Sequence, residues 1–342
     1  MVWFDESRLD DEGALRGADL RLRTLAESGS RVRREVGAAA DAIAEAVARS
    51  SETRPRAVIA AGPDSRLLRA VLEPFCPVPF VAWPSPALPG WAGSLDLVVV
   101  LAPEGADAGT ASAVAEAARR GSQLVVATPP DSMVAEHAAG RWTTILPTST
   151  GDQLATAVAM LSFLDQVQLG PSAEPEGVAE ALDAVAIACS PNRDISINPA
   201  KMLAISLADA SPLVWGGSVL AARAARRVAE SIRRTSGRTA LAGDAEHLLP
   251  VIEAARPRNV FADPFADDSG ERRPVLVVLD DRVDDPVARE HRERLEEAAA
   301  GHDVRIEHVA AAETTGEVGR YASLLLNGTY AAEYLRLGLV AD

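Results

Sequence analysis

The sequence predicts an α/β protein made of two doubly wound domains, each a parallel sheet flanked by helices. Three observations lead there. Short apolar runs alternate with segments of helical period. A strand, glycine, helix pattern at 56–66 starts again at 212–222. Between them, "GPSAEPEG" (170–177) carries two prolines, two glycines and two glutamates, the composition of a linker. The expected division is 1–169 for N-terminal helices plus the first domain, 170–177 for the linker, and 178–342 for the second domain with a C-terminal helix.

Each element has its own justification. In residues 7–50, Leu22, Leu25, Val32, Val36, Ile43 and Val47 recur at helical spacing. "RAVIAAG" (56–62) then changes the period to that of a strand ending at Gly62, and Pro63, Asp64 and Ser65 open the helix "RLLRAVLE". "VPFVAW" (78–83), "LDLVVVLA" (95–102) and "SQLVVAT" (122–128) are continuous apolar runs, the pattern of parallel strands covered on both faces. "GDQLATAVAMLSFLDQVQL" (151–169) closes the half as an apolar helix. After the linker, helices at 178–189 and 199–210 precede the strand "PLVWGG" (212–217), which feeds the helix "SVLAARAARRVAESIRRTSG". Strands are expected at "NVFADP" (259–264), "PVLVVLDD" (274–281) and "VRIEHVA" (304–310), and a final helix at 315–338.

Composition narrows the function classes. At 342 residues and 48% hydrophobic content the chain can fill two cores. Its net charge of −15 repels nucleic acid and anionic lipid, and the densest basic patch, "RVRREV" (31–36), holds three arginines. Neither nucleic acid nor membrane is an expected partner. No apolar run follows Met1 and none reaches the length of a spanning helix, so a cytoplasmic location is expected. Cys76 and Cys189 lie apart in apolar surroundings and read as reduced core thiols. His137, His291, His302 and His308 sit on charged helices or an exposed strand without metal-ligand spacing, and no metal or cofactor is expected. Lys201 is the only lysine, so a catalytic lysine could be no other residue.

In doubly wound folds ligands bind beyond the carboxyl ends of the strands. Three strand-to-helix loops of the first half qualify: Gly62 to Ser65, Ala102 to Thr110, and Thr128 to Ser132. None is a P-loop or a G-x-G-x-x-G turn. The duplicated halves, the strand-Gly-Ser-helix openings and the apolar strand running into "APEGADAGT" resemble the sugar isomerase (SIS) fold. The order of parts is similar to the bifunctional phosphoglucose/phosphomannose isomerase family, in overall look an actinobacterial branch resembling a tobramycin-biosynthesis protein. The resemblance implies two tandem SIS-type domains and a sugar-phosphate or other carbohydrate-derivative ligand. It also implies substrate contacts at Gly62, Ser65, Gly105, Asp107, Thr110, Thr128 and Ser132, and again at Gly216, Gly217 and Ser218 in "PLVWGGS".

The departures from that family are informative. Pro63 and Asp64 stand where glycines are expected, Ala102 and Glu104 replace serines, and Asp107 replaces a threonine. A carboxylate ~4 Å from a phosphate charge costs about 4 kcal/mol at an effective dielectric near 20. Glu104 and Asp107 also suit a plainer role as N-cap and first-turn acid of the following helix. The arginine expected near the next helix is matched by Asp152 or Gln153, and the C-terminal lysine is missing. In "GDAEHLLP", Asp244 takes the place of the family's glutamate and His247 that of its histidine, the pair that the resemblance assigns to proton transfer and ring opening. His247 also suits a surface or capping role. Trp83 and Trp91 flank "PSPALPG", a surface loop or the floor of a sugar pocket. Two functions follow: a sugar-phosphate isomerase of impaired catalysis, or a non-catalytic binder of a sugar phosphate or nucleotide sugar that regulates a partner. A homodimer is expected in either case.

Overall fold

The computed structural model describes residues 2–50, 54–255, 272–313 and 316–341. The strand expected at 259–264 lies outside them. The chain divides into two compact units, Ser28–Glu180 and a second unit formed by Met1–Glu27 with Ala181–Asp342.

The first unit is a five-stranded parallel sheet in the order Phe80–Trp83, Val58–Ala61, Leu97–Leu101, Gln123–Thr128, Thr143–Pro147. Its central strands are buried from end to end, as their uninterrupted apolar runs require. Side chains alternate between the faces: Ile59, Ala61, Val98, Val100, Leu124 and Val126 form a core with Ala111, Val114 and Ala117 of the helix Ala108–Arg120. The helix Gln153–Gln166 is buried throughout from Ala155 to Leu164 and packs on the helix Ser28–Ser50. Thr143–Pro147, a strand not anticipated from sequence, is an edge strand whose burial alternates.

The second unit holds a four-stranded parallel sheet ordered Arg305–Ala310, Arg273–Asp280, Ala210–Gly216, Leu241–Ala242. The helices Val219–Ser236 and Glu317–Gly338 pack on each other beside it. Ala245–Glu253 and Pro286–Gly301 close a core that includes Leu248, Ile252, Leu276 and Leu295.

The single helical stretch expected over 7–50 is two helices, Glu12–Ala26 and Ser28–Ser50, parted at Glu27. The break divides the units. Residues 1–27, grouped with the first half in the sequence reading, cluster with the second. The reason is a set of pairings with residues 337–341: Val2–Phe4 runs antiparallel to Leu339–Ala341, Asp5 N–H donates to the Gly338 carbonyl at 2.8 Å, and the Arg8 side chain donates through Nε to the Leu337 carbonyl at 2.9 Å. The helix Pro175–Ala188 begins inside the expected linker, with Pro175 at its first position, where a missing N–H is harmless.

Candidate functional site

In the first unit the three expected loops lie at the carboxyl ends of adjacent parallel strands. Gly62 has φ +90°, and a Cβ there would sit 3.0 Å from the Thr110 Oγ1, so the turn is built for a residue without a side chain. Gly105 has φ +66°, and the space its side chain would need is filled by Ser132. Thr128 and Ser132 hydroxyls bond each other at 3.0 Å, and Ser132 also caps the helix Met133–His137. Asp107 accepts from both the backbone N–H and the hydroxyl of Thr110 at 2.7 Å, as the N-cap of Ala108–Arg120. Ser65 is buried with an unpartnered hydroxyl, and Asp64 accepts a hydrogen bond from Gln153. These residues meet on one rim, where the hydroxyls of Thr110, Thr128 and Ser132 are engaged with Asp107 or with each other and that of Ser65 is not.

At the second sheet's carboxyl edge, Gly216 and Gly217 allow a close approach. A Cβ on Gly216 would run into the Ala221 backbone, and one on Gly217 would fall 2.7 Å from the Ala288 Cβ. Ser218 caps the helix Val219–Ser236 and donates its hydroxyl to Asp281, a mostly buried carboxylate just past the end of the strand Arg273–Asp280. Beside them is a cavity of about 80 Å³ lined by Trp215, Gly217, Asp280, Asp281, Arg289 and Arg292. Asp281 was not anticipated as a site residue. Its signal was available, because it immediately follows an apolar parallel strand.

Asp244 and His247 lie at the start of the helix Ala245–Glu253, two residues and more beyond Ala242, which pairs with Val214. His247 Nδ1 is 4.0 Å from Asp244 Oδ2, and their side chains are 79% and 66% exposed. Asp244 also lies 3.9 Å from Arg226. The pair is together in space, open to water, and beyond ordinary hydrogen-bond distance.

Lys201 has the opposite environment. Its side chain is fully buried, and Nζ donates to Asp10 Oδ1 at 2.6 Å and to the carbonyls of Pro191 and Arg193 at 2.8 Å, with the Tyr334 ring 5.6 Å away. All three ammonium protons are accounted for. Cys189 is buried and its thiol is pushed up to about 12 by desolvation, as suits an inert core residue; Cys76 is half-buried.

The comparisons with known proteins bear on both units. Residues 196–339 match the family of the bacterial phospho-glucose isomerase C-terminal SIS domain. The chain has the SIS fold. Solved structures similar to the chain include the following three. Tagatose-6-phosphate ketose/aldose isomerase from Escherichia coli superposes with a TM-score of 0.67 at 12% identity, over 92% of this chain and 93% of that one. The C-terminal domain of glucosamine-fructose-6-phosphate aminotransferase from Francisella tularensis gives 0.60 at 12% identity, over 93% and 96%. A glucose-6-phosphate isomerase like protein from Thermus thermophilus gives 0.52 at 19% identity, over 84% and 82%. No curated protein matches the chain. In the SIS frame, the Gly216–Ser218 turn, Asp244, His247 and Lys201 all fall within the residues matched by the family.

Proposed function

We propose that this SIS protein is a sugar-phosphate isomerase-like protein whose isomerisation of glucose 6-phosphate or mannose 6-phosphate is impaired. The observation that carries the reading is Asp107: its carboxylate occupies the N–H and hydroxyl donors of Thr110 that a phosphate would use. Aldose–ketose exchange moves a proton between adjacent carbons through an enediol and needs a base over the sugar with a second group for ring opening. In this reading Asp244 is the base and His247 the ring-opening group. Asp is one methylene shorter than Glu, and two well-hydrated side chains do little to hold a proton in a low-dielectric setting. Gly216, Gly217 and Ser218 would contact the ligand, beside Trp215 and the guanidinium groups of Arg289 and Arg292.

A second reading is a non-catalytic regulator that binds a sugar phosphate or nucleotide sugar. It is favoured by Lys201, whose protons are all committed within the fold.

A coupled assay with fructose 6-phosphate, glucose 6-phosphate and mannose 6-phosphate tests both. Slow turnover that falls about 100-fold in His247→Ala is the expected result. Turnover above about 1 per second would remove the impairment from the reading. Calorimetric binding of these sugar phosphates without any turnover would leave the regulator.

A further inference from the structure

The helix Gln153–Gln166 closes on a strained residue. The N–H of Leu169 donates to the Leu164 carbonyl at 2.8 Å and that of Gln168 to the Asp165 carbonyl at 2.9 Å, with Gln168 left-handed at φ +58°. Glycine takes such a position without steric cost, and the chain places it at two other helix ends, Gly121 at φ +72° and Gly237 at φ +69°. After the helix Pro286–Gly301 the position falls to Asp303, whose short polar side chain tolerates the left-handed region. Glutamine has no such local compensation.

The side chain of Gln168 lines a cavity of about 370 Å³. It lies at the amino ends of the adjacent strands Leu97–Leu101 and Gln123–Thr128, whose first residues are register partners. That is the opposite end of the first sheet from the Gly62, Gly105 and Thr128 loops. Small-molecule sites have volumes of about 300–1,000 Å³, mostly apolar walls and a few polar groups. Here Val47 and Leu97 supply apolar wall, and Gln123, Gln166 and Gln168 bring three side-chain amides. Gln123 Nε2 donates to the Ser50 hydroxyl, which leaves its Oε1 as an acceptor. Arg54, an exposed residue, adds a positive charge to the lining.

We propose that this cavity binds a nucleoside monophosphate whose base is adenine. A side-chain amide matches the N6 and N7 edge of adenine through two hydrogen bonds. A flat base covers the apolar wall, and a guanidinium suits a phosphate. A sugar phosphate alone would leave that wall wet, and a purely apolar ligand would leave the amides unmet. Gln168 thus gives up helix-end stability for a contact with the base. The site uses no residue of the isomerase reading, so either can fail without the other.

Calorimetric titration of the whole chain with adenosine 5′-monophosphate tests the proposal, with ribose 5-phosphate as the ligand that lacks a base. The nucleotide is expected to bind with a dissociation constant below about 1 mM, and ribose 5-phosphate about tenfold more weakly or less. Gln168→Gly relieves the left-handed strain, so its melting midpoint should rise by about 1–2 °C while nucleotide affinity falls about fivefold. Arg54→Gln should weaken the nucleotide about tenfold and leave adenosine unaffected. Glucose 6-phosphate should not displace the nucleotide. No nucleotide binding, equal binding of ribose 5-phosphate, displacement by glucose 6-phosphate, or unchanged affinity in both folded variants would each overturn the proposal.

Discussion

Lys201 is the residue at which chemistry and architecture are easiest to confuse. As the chain's only lysine it is the only candidate for an amine in catalysis, yet its ammonium sits under Tyr334 with three oxygens around it. Replacing it by methionine keeps most of the volume and leaves the Pro191 and Arg193 carbonyls without a donor. Asp10 is partly solvated and can recover water, so the loss belongs at the lower end for a broken buried pair, about 2–4 kcal/mol. Lys201→Met should therefore shift the urea midpoint down while leaving ligand affinity and any turnover per folded molecule unchanged. Lost turnover at full stability would make Lys201 catalytic. The sequence could count the lysine but not see its partners, because Asp10 lies 191 positions away. Glu35 was closer to legible. An acid on the same helical face as Val32 and Ala39 announces a buried partner, although only the fold says that the partner is the backbone at 149 and 150.

At the scale of elements, what could be read was whatever carries an uninterrupted signal. The central strands of both sheets are apolar on both faces, and they appear where their runs fall. Thr143–Pro147 and Leu241–Ala242 were missed because one is an alternating edge strand and the other is two residues long. Helix-to-helix distance was likewise invisible. Gly328 looks like a flaw in the helix Glu317–Gly338, but a Cβ there would collide with both methyl groups of Val228, lying 2.7 Å from Cγ1 and closer still to Cγ2. Alanine brings about 1 kcal/mol of helix propensity over glycine. Against it stands overpacking onto a stiff β-branched side chain, typically about 1–3 kcal/mol. Gly328→Ala should consequently destabilise, and Val228→Ala should relieve it. A double-mutant cycle by chemical denaturation is expected to show coupling of about 1 kcal/mol. Additive effects, or a stabilising Gly328→Ala, would mean that the two helices separate freely at this point.

At the scale of the whole molecule, the duplicated pattern gave the two α/β units, while the route of the first 27 residues depended on a strand pairing from Val2 to Ala341 that no local signal encodes. No helix among the described residues is long and apolar enough to cross a membrane. Apolar surface is nevertheless exposed on the second unit, where Ile187, Ile197 and Met202 are 67%, 57% and 51% accessible. On a chain of net charge −15, burying such side chains between two copies is favoured by the hydrophobic effect and opposed by like-charge repulsion. The balance predicts a homodimer that tightens with salt, since screening at about 0.15 M confines the repulsion to about 8 Å while leaving the apolar contact untouched. Light scattering at micromolar concentration should give twice the chain mass of 35.9 kDa at physiological salt, with a shift toward the single chain at low ionic strength. A single-chain mass at both salts would show that these side chains stay in water. Dissociation promoted by salt would instead point to an interface held by ion pairs.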